Sequence, residues 1–248
     1  EFRRVLFRST YFSEAQCREI EAVRNAIEKV EDSQLRSVYL LVLCSAMSLC
    51  QSSPGHFAQY MPADHPRLQA LRSLSLTEAF RSRCAEIKID LTDLGNIVFR
   101  ADALELLASQ EIRELLAPGS VVYLDPPYTS AQYSRYYHLL ETAVLWDTPE
   151  VSFKGLYRPD RHQSTFCSVA QVVESFRCVL GKSVECGWQI VISYSSHGLM
   201  PLDDLVAEMR DFYPVVSVES ASYNHSMQGR GVVKDRTEYV LSGTWRPE

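Results

Sequence analysis

The sequence predicts an α/β protein: a doubly wound, Rossmann-like sheet in the C-terminal part, preceded by a mainly helical segment. Apolar runs without alternation, of the kind buried in parallel sheets, occur at Ser120–Leu124 and Trp188–Tyr194. Segments of helical period lie between and after them, which gives a β-α-β rhythm. Before Gly95-Asn96, by contrast, apolar residues recur almost only at helical spacing. With 248 residues, 46% hydrophobic and 23% charged, the chain has enough core for one large or two small domains, which argues against disorder or a fibrous repeat.

Taken in order, Ser13 and Gln16 form a capping box, and Ile20, Val23, Ile27 and Val30 then mark one helix face, up to a break at Glu31-Asp32. Leu35–Cys50 is apolar nearly all round, so it is expected to be the buried partner in a helical hairpin closed by Ser52-Ser53-Pro54-Gly55. Its most apolar stretch, Val38–Cys50, has 13 residues and contains Ser45 and Ser48, short of the roughly 20 that span a bilayer, so no membrane is expected. A polar stretch with Pro62 and Pro66 holds two short periodic runs, and Thr77 to about Leu91 reads as another helix.

Ile97-Val98-Phe99 then gives a short strand signal, Ala103–Ala117 a helix, and Ser120–Leu124 a strand suited to the centre of a parallel sheet. Helices at about Tyr136–Trp146 and Val169–Val184, the strand Trp188–Tyr194 and a helix at Leu202–Phe212 continue the rhythm. Val215–Val218 and Glu238–Leu241 have only Gly229-Arg230-Gly231 as a marked feature between them, so a hairpin at the sheet edge is expected.

The net charge of −6 does not advertise a nucleic-acid binder but leaves room for a local basic face. Seven cysteines without a C-x-x-C pair fit neither a disulfide scaffold nor a zinc finger, and a reducing cytoplasm is the simpler reading. His56, His65, His197 and His225 show no metal-ligand spacing, so no metal site is expected. The opening EFRRVLFRS has no continuous hydrophobic stretch and no A-x-A site, so a signal peptide fits poorly. It resembles a sequencing adapter translated in frame. Residues 1–9 are therefore set aside as an adapter-derived artefact, and the natural chain is expected to extend upstream of Thr10.

One motif carries chemistry. The strand ending at Leu124 runs straight into Asp125-Pro126-Pro127-Tyr128. Two prolines fix φ and force their predecessors to be extended, so the chain leaves the strand as a stiff arch, at the carboxyl end where open α/β sheets bind ligands. An exocyclic amine on a base is a weak nucleophile because its lone pair is delocalised into the ring. The Asp125 carboxylate and the Pro126 carbonyl can accept its two hydrogens and return density to nitrogen, while Tyr128 offers a face on which a flipped-out base stacks. The bland alternative is a strand-terminating turn.

Val122-Tyr123-Leu124-Asp125-Pro126-Pro127-Tyr128 resembles the catalytic motif of the Dam-like adenine-specific (N6) DNA methyltransferases. Ile97–Ala103 is similar to that family's cofactor-adenine motif, Ile192–Ser196 to the strand-end motif flanking the target base, and Arg236–Leu241 to its closing strand. The resemblance implies a methyltransferase sheet using S-adenosylmethionine, with Asp125, Pro126, Pro127 and Tyr128 catalytic. It further implies that Asp102, Ala103 and Asp125 contact the cofactor and that Ser193 and Tyr194 line the base pocket. Double-stranded DNA is the implied partner, with a cognate restriction endonuclease alongside. Residues 10–96 would then be the helical target-recognition segment and residues 97–248 the catalytic domain.

The family's F-x-G-x-G cofactor loop is absent from the sequence, which agrees with a chain lacking its first βαβ unit. Pro54–Tyr60 is only loosely similar to the family's G-x-F loop, so no target sequence follows. Within Gln132–His138, Tyr133, Arg135 and Tyr136 are candidates for DNA contact, the alternative being a tyrosine-rich helix start packed on the sheet. Lys154, Arg158 and Arg161 surround Gly155 beside His162, either as a phosphate clamp or as a solvated loop. Two other readings stay open: an RNA-base amino-methyltransferase, and a non-catalytic nucleic-acid-binding remnant.

Overall fold

A computed structural model describes residues 10–87, 95–223 and 236–245. The helices are α1 (Glu14–Glu28), α2 (Ser33–Cys50), α3 (Leu68–Ser73), α4 (Leu76–Glu86), α5 (Ala103–Ala108), α6 (Gln110–Leu115), α7 (Ser134–Leu145), α8 (Val172–Glu185) and α9 (Leu202–Phe212). The strands are β1 (Val121–Leu124), β2 (Gln189–Ser195), β3 (Val215–Tyr223) and β4 (Arg236–Thr244). The protein is thus a mixed α/β structure that divides into two compact units. One joins the described residues before 94 to Tyr133–Arg161, and the other joins Gly95–Gln132 to the described residues from His162 onward. The segment 133–161 therefore groups with the helical residues and not with the sheet that surrounds it in sequence.

In the helical unit, Ser13 Oγ accepts from the Gln16 amide at 3.3 Å while Gln16 Oε1 accepts from the Ser13 amide at 2.9 Å, so the capping box is complete. Asp32 closes the first helix's break and caps the second, its carboxylate accepting from Leu35 N at 2.9 Å. The α2 helix buries Val42, Leu43, Ala46, Met47 and Cys50, but Leu41 is 66% exposed, so the all-round apolar run covers one face and not two. By length and composition α2 would suffice to cross a membrane, yet its buried face packs into the core with Ile20, Phe57 and Leu139. Arg24, itself buried, ties α7 to this unit by donating to the Ala143 and Val144 carbonyls at 2.9 and 3.1 Å, where the helix end leaves acceptors free.

In the second unit the sheet order is β1-β2-β4-β3. β1 and β2 pair in parallel with Leu124 opposite Ile192, whereas β2–β4 and β3–β4 are antiparallel, with Leu241 opposite both Ile192 and Val218. Phe176, Val179, Leu180, Ile190, Ile192 and Leu205 lie in its core. The expected antiparallel pairing is present as β3 and β4, and Gly229-Arg230-Gly231 lies outside the described residues, as do residues 1–9.

Three local expectations change. Residues 97–99 form no strand, and Val98 is 93% exposed. Three residues gain their stability only from a ladder, and no described strand pairs with them. The expected helix 103–117 is split at Ser109, which ends α5 and caps α6 by accepting from Ile112 N. Finally, β1 is an edge of the described sheet and not its centre, and Val121 and Tyr123 are 58% and 64% exposed. Its unalternating sequence is met on one face only, and the described sheet holds a single parallel pair.

Candidate functional site

Parallel pairing puts the carboxyl ends of β1 and β2 side by side, so the arch after Leu124 meets the segment after Ile192. Tyr128 joins the two. Its hydroxyl donates to Asp125 Oδ1 at 2.7 Å. A phenol has one proton, so in the 2.7 Å contact with Ser193 Oγ the serine is the donor. Burial, reinforced by the Asp125 charge, holds the Tyr128 phenol above its usual range, so the proton stays available to Asp125 at neutral pH. The Tyr128 carbonyl accepts from Leu199 N at 2.8 Å, which fixes the arch from its far side.

Tyr194 supports this tyrosine. It is buried, its ring meets Tyr128 edge-on at 5.7 Å, and its hydroxyl donates to the Met200 carbonyl at 2.8 Å. Behind it, Phe176 and Phe166 continue an edge-to-face stack. The turn over Tyr194 requires glycine at 198, because a Cβ there would lie 2.2 Å from the tyrosine ring. Tyr194 is therefore a packed support and not a surface open to a base, which corrects its expected place in the base pocket.

Asp125 is exposed and Pro126 buried. Among the described residues nothing donates to Asp125 Oδ2 or to the Pro126 carbonyl. Two acceptors without a donor among the described residues, on adjacent residues of a rigid arch, match the two hydrogens of an amine. Asp102, the expected cofactor contact, caps α5 by accepting from Leu104 N at 2.9 Å, and its other oxygen lies 3.8 Å from His162 Nε2. Ala103, the first residue of that helix, is exposed.

The helical unit collects a second set. A cleft of about 660 Å³ is lined by Ala58, Gln59, Tyr60, Arg135, Phe153, Lys154, Gly155, Tyr157 and Arg161. The Arg135 and Arg161 guanidinium groups lie 5.2 and 5.0 Å from the centre of the Tyr157 ring. Tyr157 donates to the Ala58 carbonyl at 2.9 Å and accepts from Arg135 at 3.3 Å. Of the sequence candidates, Arg135 and Lys154 thus come together, while Tyr133 is exposed and Tyr136 packs against His56 at 4.7 Å outside the cleft lining.

Arg158 is not part of the cleft. It is 2% exposed, and its guanidinium donates to both Asp147 oxygens at 2.6 and 2.7 Å and to Asp160 at 3.0 and 3.1 Å. Its donors are spent on carboxylates, which removes it from the expected phosphate clamp. Tyr60 fell only within the loose G-x-F resemblance of Pro54–Tyr60, and Phe153 and Tyr157 were marked by no motif. The only sequence signal for the last two is the interleaving of aromatic and basic residues in Phe153-Lys154-Gly155-Leu156-Tyr157-Arg158.

All seven cysteines are free, and burial pushes Cys17 up to about 12 and Cys44 and Cys50 up to about 11, so these three are not thiolate nucleophiles at neutral pH. Among the described residues no group of three or more His, Cys, Asp or Glu is placed to hold a metal ion.

Comparison with known proteins gives a match to the family described as D12 class N6 adenine-specific DNA methyltransferase, over residues 6–197. The chain is 34% identical over 128 residues to modification methylase LlaI of Lactococcus lactis subsp. lactis, covering 48% of this chain and 20% of that protein. It is 30% identical over 209 residues to type II methyltransferase M.NlaIII of Neisseria lactamica, covering 82% and 55%. It is 27% identical over 232 residues to type II methyltransferase M.CviAII of Paramecium bursaria Chlorella virus 1, covering 93% and 65%. The chain thus spans less than two thirds of each of these relatives. No solved structure matches it.

Proposed function

Since the chain belongs to the D12 class N6 adenine-specific DNA methyltransferase family, we propose that it moves a methyl group from S-adenosylmethionine to N6 of a flipped-out adenine in double-stranded DNA. In this reading it is the modification partner of a cognate restriction endonuclease, working in the cytoplasm. The observation that carries the reading is the tethered arch, in which Tyr128 holds one Asp125 oxygen and leaves the other open beside the Pro126 carbonyl.

Asp125 Oδ2 and the Pro126 carbonyl accept the two N6 hydrogens, which orients the lone pair and raises its density. Tyr128, steadied by Ser193 and Tyr194, keeps the carboxylate in that orientation and presents a ring beside the base. The cofactor half of such a site does not fit the residues present. Gly55, Gly95 and Gly119 stand singly before β1, F-x-G-x-G does not occur in the sequence, and Asp102 is committed as a helix cap. Only the steps made by the target-base residues are therefore derived. Recognition of DNA is assigned to the helical unit, including Tyr133–Arg161, and catalysis to the sheet unit.

The test is transfer of a radiolabelled methyl group from S-adenosylmethionine to mixed-sequence duplex DNA, followed by digestion to nucleosides. Label on N6-methyldeoxyadenosine, lost in Asp125→Ala with DNA affinity retained, supports the reading. Label on RNA alone replaces it with an RNA-base methyltransferase. DNA binding without transfer replaces it with a binding protein.

A further inference from the structure

The loop following Ser152 has a geometry that neither the arch nor the helix packing requires. Ser152 and Tyr157 exchange backbone hydrogen bonds at 3.0 and 2.9 Å, closing the four residues between them into a tight turn. Two of the four, Phe153 and Leu156, hold positive φ angles of 63° and 56° although neither is glycine. Such conformations persist only where the surroundings impose them, and they cluster at functional positions. The turn is pinned by Gly155, where a Cβ would lie 2.3 Å from the Tyr157 ring. Phe153 is left projecting, 77% exposed, with no ring contact among the described residues.

The charges around it are uncompensated. Arg158, in the same stretch of chain, has two carboxylates, yet Arg135, Lys154 and Arg161 form no ion pair among the described residues. The Arg161 Nε is buried and unpartnered. Three cations without a carboxylate partner among the described residues, in an acidic chain, call for a polyanion, and two exposed aromatics on the same cleft, Tyr60 and Phe153, call for flat apolar faces. Nucleic acid offers both.

We propose that Phe153 is a stacking wedge that packs on a base of bound DNA while Lys154, Arg135 and Arg161 hold the flanking phosphates. This rests on the DNA reading above and adds a stacking residue that the sequence motifs do not supply. The strained loop serves it by holding the Phe153 backbone in one place, so little backbone freedom is lost when a base arrives.

The full chain is titrated with fluorescein-labelled mixed-sequence duplex DNA and, in competition, with inorganic polyphosphate, which has the charge but no bases. Phe153→Gly is expected to weaken duplex binding about 5- to 100-fold, the range for losing one base–aromatic stack. Polyphosphate affinity is expected to stay unchanged, and the melting midpoint not to fall, because glycine relieves the positive φ. Phe153→Trp should restore duplex binding. Lys154→Ala should weaken both ligands and lower the salt slope by about one. Duplex affinity unaffected by Phe153→Gly overturns the wedge and leaves the DNA reading standing, as does equal weakening on both ligands. No duplex binding by the unsubstituted chain overturns the DNA reading itself and the wedge with it.

Discussion

Acid should loosen the helical unit through one buried imidazole. His138 is 1% exposed, and its Nε2–H donates to the Phe57 carbonyl at 3.0 Å while Nδ1 is buried without a partner. Burial pushes its pKa down to about 4, aided by the nearby Arg161 and Arg158 charges and opposed by the Phe57 bond. Because the folded value is the lower one, the unfolded chain binds the proton first. The stabilisation is complete above about pH 6.5 and is lost as the pH falls toward about 4, below which both states are protonated. At 1.36 kcal/mol per unit this amounts to about 3 kcal/mol. The comparison is with His138→Gln, whose amide can still donate to Phe57 but does not titrate. Urea unfolding followed by circular dichroism, from about pH 7 to about pH 4, should show the two stabilities diverging by about 3 kcal/mol. Depressed carboxylates such as Glu28 and Asp160 titrate in both proteins and cancel. Parallel pH curves would refute the assignment. The divergence bears on function because His138 meets Tyr157 edge-on at 5.1 Å, directly behind the ring that carries the cleft's two arginines.

Arg158→Met should destabilise the helical unit by about 1–3 kcal/mol in thermal unfolding, less than a fully buried pair would cost because Asp147 and Asp160 are 43% and 63% exposed. It should leave the salt slope of DNA binding unchanged, and a reduced slope would return Arg158 to the phosphate contacts. Gly198→Ala should cost the sheet unit about 1–3 kcal/mol, since its Cβ meets the anchored Tyr194 hydroxyl and ring; unchanged stability would mean that the turn has room to shift. Tyr128→Phe should keep DNA affinity and lower methyl transfer about 10- to 100-fold, as expected for one charge-assisted hydrogen bond, and an unchanged rate would remove the tether from the mechanism.

Where sequence patterns were local, they were sufficient. The Ser13–Gln16 box and the Asp32 cap follow from side chains acting on their own backbone within a turn. The arch was legible because two prolines constrain φ whatever surrounds them. What escaped depended on distant partners. Nothing local distinguishes Arg158 from Arg161, since Asp160 lies within two residues of both, and only the approach of Asp147 decides that the first is buried and the second is left for the cleft. Tyr194 read as a pocket residue because Ile192–Ser196 resembles a family motif, but Met200 and Gly198 fold back over it. Residues 97–99 have strand composition, and a ladder partner is something composition does not contain.

Both candidate sites hang on a tyrosine used in the same way. Tyr128 gives its proton to Asp125 and takes one from Ser193; Tyr157 gives its proton to the Ala58 carbonyl and takes one from Arg135. Each ring is set edge-on against a buried ring, Tyr194 in one unit and His138 in the other. A phenol placed so has no rotational freedom left and its donor and acceptor roles are fixed, so it can orient a charged group without carrying a charge itself. Phenylalanine at either position would preserve the packing and release the charge: an Asp125 carboxylate free to swing from the arch, or an Arg135 guanidinium free to leave the cleft. Loss of function without loss of stability is therefore the joint signature expected of these two tyrosines.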